Sequence, residues 1–180
     1  MSNVLVISTS LRGNSNSDIL AERLAAGARD AGHRVESIRL KGKDIRFCTG
    51  CLACQKTQKC VQQDDAAGIA EKVKNADTLV FATPIYYYEM SGQMKTLLDR
   101  MNPLYAADYR FRRVYMLSTA AEEEASTPER AVGGLRGWVD CFEKAELVDS
   151  LFCGGLSEPG EARAREAVLE AAYRFGRSIL

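Results

Sequence analysis

Short apolar runs rich in β-branched residues alternate with longer helical patterns along the whole chain. The runs predict five strands, at residues 4–8, 34–40, 78–82, 114–118 and 147–152. The helical patterns between and after them predict five helices, at about residues 18–31, 64–75, 91–101, 127–144 and 159–180. Strands that alternate with helices favour an α/β fold with a parallel sheet, because each helix returns the chain to the same end of the sheet.

Size and charge narrow the classes of protein that this chain can be. Its 180 residues fit one domain, over residues 1–180, with a core large enough to fold unaided. Lys plus Arg equals Asp plus Glu, at 24 each, so no overall field favours nucleic acid or an anionic membrane. Neither a membrane-length apolar run nor a basic leader is visible. We therefore expect a cytoplasmic protein that binds neither nucleic acid nor membrane.

Four of the six cysteines are concentrated in one short segment, with the spacing C-x2-C-x2-C-x5-C. They are Cys48, Cys51, Cys54 and Cys60. The surrounding residues 41–63 lack periodicity, which predicts a cysteine-rich insertion between the second strand and the second helix. In a reducing compartment such clustering indicates metal or redox chemistry. Four thiolates suit an iron–sulfur cluster or a structural zinc, while a redox disulfide or no bound metal remain alternatives.

The turn after the first predicted strand is rich in hydroxyl and amide groups, since residues 8–17 have the sequence STSLRGNSNS. A helix N-terminus presents unpaired N–H groups and so accepts phosphate, and Arg12 adds a charged donor. The turn lacks both G-x-G-x-x-G and the Gly-Lys-Ser/Thr ending of a P-loop. It therefore indicates a mononucleotide-type phosphate site, although Ser, Asn and Gly are also ordinary turn residues.

A second unusual loop, residues 83–95 with the sequence TPIYYYEMSGQMK, follows the third predicted strand. Ligands of doubly wound sheets bind where the strand order reverses, between the first and third strands in the flavodoxin-like order 2-1-3-4-5. The two loops would then face one crevice, with Pro84 on the side that meets a flat heterocycle. We expect Tyr86 and Tyr87 to contact this ligand and Tyr88 to lie in a subunit interface.

Taken together and in order, these motifs resemble those of the flavodoxin-like NADPH-dependent FMN reductase family, and within it the iron–sulfur flavoproteins. The first motif is residues 10–17, and the second is residues 83–86 followed by 91–95 and by Asp99-Arg100. The third is the cysteine pattern with its trailing acids, residues 48–65. The resemblance rests on motifs over residues 4–120 and on strand–helix order beyond them.

The resemblance implies a doubly wound, five-stranded parallel sheet in the order 2-1-3-4-5 with helices on both faces. It implies FMN as cofactor, NAD(P)H as co-substrate, a homodimer or homotetramer, and a possible [4Fe–4S] cluster on the four clustered cysteines. The residues that it implies for the FMN phosphate are Ser10, Arg12, Asn16 and Ser17. Those that it implies for the ring are Pro84, Ile85, Tyr86 and Tyr87, with a third wall at Ser118, Thr119 and Ala120.

The sequence thus predicts an FMN-dependent oxidoreductase that passes electrons from NAD(P)H or a reduced carrier to a small-molecule or redox-protein acceptor. The alternative is a non-catalytic electron carrier of flavodoxin type, which the zero net charge disfavours because carriers usually dock through an acidic surface. We assign no general acid or base, since the only histidine, His33, is predicted at the surface. Cys141 and Cys153 are predicted to be buried apolar residues.

Overall fold

A computed structural model describes residues 1–180, and its main sheet has five parallel strands. These are β1 (Asn3–Ser8), β2 (Arg34–Arg39), β3 (Thr78–Tyr86), β5 (Arg113–Thr119) and β6 (Glu146–Cys153). Their order is β2-β1-β3-β5-β6, and the two-residue strand β4 (Glu89–Met90) pairs antiparallel with β3. Counted without β4, this is the predicted order 2-1-3-4-5. β2 lies at one edge of the sheet, and most of its side chains are exposed.

Six α-helices accompany the sheet: α1 (Asn16–Asp30), α2 (Ala53–Thr57), α3 (Asp65–Asn75), α4 (Gly92–Asp99), α5 (Glu129–Val139) and α6 (Glu166–Arg177). Asp64 caps the start of α3 by accepting a hydrogen bond from the Ala66 N–H, and Ser91 caps α4 by accepting one from the Met94 N–H. None of the helices combines the length and the apolar character that a membrane crossing requires.

Two predicted helices are too long. The helix predicted over 127–144 ends at Val139, since the chain then turns to bury Phe142. The helix predicted over 159–180 begins only at Glu166, because Gly160 adopts a left-handed φ of 82° and a short 3-10 helix, Glu161–Ala164, follows it.

The third strand is longer than predicted and runs through Pro84 to Tyr86. Its pairing with β1 ends at Ala82, whereas its pairing with β5 continues as far as Pro84. From residue 83 onward β3 therefore has a parallel neighbour on one side only, and such an edge position tolerates proline.

Alternate residues of the central strands bury opposite faces of the sheet. Leu5, Ile7 and Phe81 pack into one apolar cluster, and Val4, Val6 and Val80 are among the residues of the other. Helices cover both faces, which explains why these strands are continuous apolar runs.

Helices α1 and α6 approach each other closely through glycines. A Cβ atom on Gly27 would lie 2.0 Å from the Tyr173 carbonyl oxygen, and one on Gly176 would lie 2.0 Å from the Leu24 carbonyl oxygen. The two helices can therefore keep this separation only if both positions lack a side chain.

Candidate functional site

The loops that follow β1, β3, β5 and β6 enclose a cavity of about 200 Å³ at the carboxyl edge of the sheet. The strand order reverses between β1 and β3 at this edge, where doubly wound folds bind their ligands. Eight of the ten residues predicted for cofactor binding line the cavity: Ser10, Arg12, Asn16, Ser17, Pro84, Ile85, Tyr86 and Thr119.

The floor of the cavity is built from hydroxyl groups around the start of α1. Ser10, Ser15 and Ser17 are buried, and the hydroxyl oxygens of Ser15 and Ser17 lie 2.9 Å apart. Ser15 caps α1 by accepting from the Asp18 N–H at 3.3 Å, and the Ser10 hydroxyl accepts from the Arg12 N–H at 3.2 Å. Such a set of hydroxyls beside the first turn of a helix suits an anion.

Two predicted residues reach from this loop to the loop between β6 and α6. The Asn16 Nδ2 group donates to the Glu158 carbonyl oxygen at 2.9 Å, while Asn16 Oδ1 accepts from the Ala162 N–H at 3.1 Å. Arg12 Nη1 donates to the Ser157 carbonyl oxygen at 3.0 Å. Both ends of the Asn16 amide are therefore occupied, whereas Arg12 keeps most of its five donors for a ligand.

The wall opposite comes from the end of β3, where Pro84 and Ile85 are half-buried and Tyr86 is exposed. The chain then reverses through a two-residue turn, Tyr87-Tyr88, into β4. The side chain of Tyr87 is 99% exposed at the tip of this hairpin and does not line the cavity. Sequence reasoning missed the hairpin because a two-residue turn with φ > 0 normally carries Asn or Gly.

The third wall contains Thr119, Ala120 and Ala121 but not Ser118. Successive side chains of a strand point to opposite faces, so Ser118 and Thr119 at the end of β5 cannot both face the cavity. Ser118 is instead buried, and its hydroxyl has no hydrogen-bond partner in the protein.

Leu156 and Ser157 also line the cavity, and sequence reasoning missed both. They follow β6, whose carboxyl end lies at the same edge of the sheet. A Cβ atom on Gly154 would lie 2.3 Å from the Glu122 carbonyl oxygen, so this loop packs directly against the loop after β5. Two features of the sequence could have revealed them: the parallel topology, which brings the loop after β6 to this edge, and the Gly154-Gly155 pair, which permits close packing of that loop.

The cysteine insertion is irregular apart from α2, and its thiols have different environments. Cys54 is buried, Cys60 is half-buried, and Cys48 and Cys51 are exposed. No three histidine, cysteine or acidic side chains are grouped as a metal site would require, so the four thiols do not converge on one point in this structure. Two of the sulfur atoms accept hydrogen bonds from residues outside the insertion instead.

A fully buried ion pair between Asp64 and Arg100 lies directly behind the insertion. Arg100 Nη1 is 2.6 Å from Asp64 Oδ2, and Arg100 Nη2 is 2.9 Å from Asp64 Oδ1. Burial alone would raise the pKa of Asp64, but hydrogen bonds from Arg100 and from the N–H groups of Arg46 and Ala66 hold that pKa below its ordinary value. The carboxylate in turn raises the pKa of Arg100. Both groups are therefore charged in the folded protein.

The remaining candidates lie away from the cavity. Cys153 is buried, as predicted, and burial raises the pKa of its thiol to about 11. The prediction that Cys141 is buried is wrong, because α5 ends before it and leaves it exposed. His33 is half-buried and connects the two ends of the chain. Its Nδ1 accepts a hydrogen bond from the Ser2 N–H. Its Nε2 therefore carries the proton and donates to the Ile179 carbonyl oxygen.

A doubly wound parallel sheet with a hydroxyl-lined cavity at its switch point defines the flavodoxin-like class of proteins. Within this class, the chain belongs to the NADPH-dependent FMN reductase family, whose sequence profile matches residues 2–144.

Sequence relatives agree with this family, and a solved structure agrees with the fold. An iron–sulfur flavoprotein of Methanocaldococcus jannaschii is 35% identical over 98% of this chain and 94% of that protein. Two iron–sulfur flavoproteins of Archaeoglobus fulgidus are 39% and 38% identical, but the chain matches only 34% and 48% of their length. An NAD(P)H:quinone oxidoreductase from Methanothermobacter marburgensis has the same fold, with a TM-score of 0.75 at 20% identity over 98% of this chain and 94% of that one.

Proposed function

We propose that this protein is an FMN-dependent oxidoreductase that takes electrons from NAD(P)H and passes them to a small-molecule or redox-protein acceptor. The observation that carries the proposal is the hydroxyl-lined cavity at the switch point of the sheet, within a chain of the NADPH-dependent FMN reductase family. Bound FMN would supply hydride and single-electron exchange.

The residues of the cavity fit this cofactor. Buried hydroxyls of Ser10 and Ser17, the first N–H groups of α1 and the free guanidinium donors of Arg12 would hold the phosphate. Asn16 holds the two loops around that phosphate and is not itself free to bind it, because both ends of its amide are already engaged.

The ring would lie between the end of β3 and the loop after β5. Pro84, Ile85 and Tyr86 supply an apolar cover with backbone polar groups at its rim, and Thr119 lies opposite. The lining of the cavity contains no histidine and no acidic side chain. We therefore assign the lining residues to binding and orienting the cofactor, and we name no general acid or base among them.

We further propose that Cys48, Cys51, Cys54 and Cys60 ligate a [4Fe–4S] cluster, which would exchange single electrons. The donor chemistry supports this: the insertion offers four thiols and no histidine, and the nearby Asp64 carboxylate is committed to Arg100. Cys48 and Cys51 are exposed in irregular chain, so they would move toward Cys54 and Cys60 when ligands bind.

We also propose a cytoplasmic homodimer or homotetramer. The exposed tyrosines of the hairpin support an association surface, since Tyr86, Tyr87 and Tyr88 are 49%, 99% and 52% exposed. Light scattering coupled to size exclusion tests the assembly, and a monomer at all concentrations would exclude it.

The proposal is tested on protein purified without oxygen. Its absorption spectrum, with phosphorus, iron and sulfide analysis, reports FMN and the cluster separately. Mixing with NADH or NADPH in a stopped-flow instrument should bleach the flavin band, and a quinone added afterwards should restore it. Flavin that neither nucleotide bleaches would favour the non-catalytic carrier and overturn the reductase proposal.

A further inference from the structure

Helix α4 connects the flavin cavity to the cysteine insertion. Its N-cap, Ser91, donates its N–H to Thr83 Oγ1, directly before the Pro84 wall of the cavity. The helix is eight residues long, or roughly 12 Å, and ends next to Arg100. One short rigid element therefore begins at one proposed cofactor site and ends at the other.

Arg100 holds the insertion at Arg46 and Cys60, and it also holds Asp64, directly after the insertion. Its Nη1 donates to the Arg46 carbonyl oxygen at 2.7 Å, before the first cysteine, and it pairs with Asp64, after the last one. Its Nη2 also donates to Cys60 Sγ at 3.4 Å. The guanidinium is completely buried, and its planar fork can serve these acceptors simultaneously.

A second donor follows two residues later. Asn102 Nδ2 donates to Cys54 Sγ at 3.1 Å, and Cys54 is the buried member of the four cysteines. The residues directly after α4 thus supply one N–H···S hydrogen bond to each of two candidate ligands. Neither contact is needed to complete the helix, whose last carbonyl groups bond to the N–H groups of residues 100 and 101.

We propose that Arg100 and Asn102 are positioning residues, which fix the sulfur atoms of Cys60 and Cys54 and so preorganise the insertion for its ligand. The nature of that ligand, an iron–sulfur cluster, rests on the function proposed above. An N–H group directed at a ligand sulfur stabilises the extra negative charge of a reduced cluster, so the same two residues raise its reduction potential.

The first measurement needs no cluster. In metal-free full-length protein, iodoacetamide labelling followed by mass spectrometry gives the rate at Cys54 relative to exposed Cys51 in the same molecule. Asn102→Leu should raise this ratio roughly threefold to tenfold, because the lost hydrogen bond no longer holds the buried thiol. Asn75→Leu is the matched control, since that amide donates to a carbonyl oxygen on the surface of α3.

The second measurement uses the protein loaded with iron and sulfide. Arg100→Lys keeps a positive charge beside Asp64 but lacks the fork that also reaches Cys60. Both Arg100→Lys and Asn102→Leu should lower the midpoint potential in a redox titration followed by electron paramagnetic resonance. Arg110→Lys is the control, because Arg110 pairs with Asp77 and donates to none of the four cysteines.

The outcomes separate the two proposals. Wild-type protein that binds neither iron nor sulfide would overturn the cluster, and the labelling ratio would still decide the positioning role. An unchanged labelling ratio in Asn102→Leu would overturn the positioning role even if the cluster is present. If Arg100→Lys does not fold, Asn102→Leu supplies both readouts, and an unchanged potential in that variant refutes the tuning of the cluster.

Discussion

Asn16 and Ala162 are 146 positions apart in the sequence, yet the Ala162 N–H donates to Asn16 Oδ1 at 3.1 Å. The other end of the amide donates to the Glu158 carbonyl oxygen at 2.9 Å. One buried side chain thus fixes the loop after β1 to the loop after β6. The shape of the cavity depends on this bridge.

Asn16→Ala should lower the free energy of unfolding by about 1–3 kcal/mol, because it leaves the buried Ala162 N–H without a partner. Urea denaturation measures the loss. Asn75→Ala is the control: its amide donates to the Glu71 carbonyl oxygen on the exposed surface of α3, so its effect should stay within about 0.5 kcal/mol. Equal losses of unfolding free energy in the two variants would show that the Asn16 bridge does not contribute to stability.

Arg12→Ala should weaken FMN binding roughly tenfold to hundredfold, the loss expected for a charge-assisted hydrogen bond to phosphate. Titration of the apoprotein with FMN, followed by flavin fluorescence, measures the change. Riboflavin, which lacks the phosphate, should bind both proteins equally. Arg174→Ala, on the surface of α6, should leave both affinities unchanged. An Arg12→Ala protein with wild-type FMN affinity would remove Arg12 from the phosphate site.

The sequence predicts the sheet and most of the cavity because both follow from local patterns. β1 and β3 are buried on both faces and are therefore continuous apolar runs, and the order of elements places their loops at one edge. For that reason the sequence could predict that Arg12 and Pro84 lie at this edge, where both line the cavity.

Other features depend on contacts between distant residues and leave no local pattern. Ser157 belongs to the cavity only because its loop packs against the loop after β5. Arg100 belongs to a recognisable motif, but its burial against Asp64 and Cys60 could not be predicted, because those contacts form only when the insertion folds. The exposure of Cys141 depends on where α5 ends, and element ends are poorly determined by periodicity.

The hairpin turn Tyr87-Tyr88 carries backbone strain, with φ values of 52° and 65° in two bulky residues. Replacing both residues, Tyr87→Asn with Tyr88→Gly, supplies the pair that such a turn favours. The double variant should gain about 1–2 kcal/mol of unfolding free energy, measured by urea denaturation at a fixed protein concentration.

Tyr105→Gly is the control that shows whether the gain in stability comes from relief of backbone strain. Tyr105 is also exposed, but its φ is −55°, so glycine there should lower stability. Repeating the denaturation over a range of protein concentrations separates strain from subunit contacts. A double variant that is less stable at every concentration would rule out strain as the dominant effect of the two tyrosines.

Asp77 should contribute stability that is lost in acid. Burial alone would raise its pKa, but hydrogen bonds from the Asn3 N–H at 2.8 Å and from Arg110 at 2.7 Å hold that pKa below its ordinary value. Since the folded pKa is lowered, the contribution is full above the unfolded value of about 4 and disappears as pH falls through the folded value.

Asp77→Asn should therefore be less stable than the wild type by about 1 kcal/mol near pH 7, and this gap should close as the pH falls below about 4. Thermal unfolding between pH 2.5 and 7 measures the gap. Asp108→Asn, whose carboxylate is 93% exposed, should show no gap at any pH. A gap for Asp77→Asn that widens in acid would contradict the lowered pKa.

Cys153 and Cys141 should differ sharply in reactivity. Burial raises the pKa of the Cys153 thiol to about 11, so at pH 8 its thiolate fraction is roughly a hundredfold below that of an ordinary cysteine. Iodoacetamide should therefore label exposed Cys141 in the native protein and leave Cys153 unlabelled, as peptide mass spectrometry can measure. In concentrated guanidinium both residues should react at similar rates. Labelling of Cys153 in the native protein at the rate of Cys141 would mean that the end of β6 opens to solvent, and would remove it from the apolar core beneath the cavity.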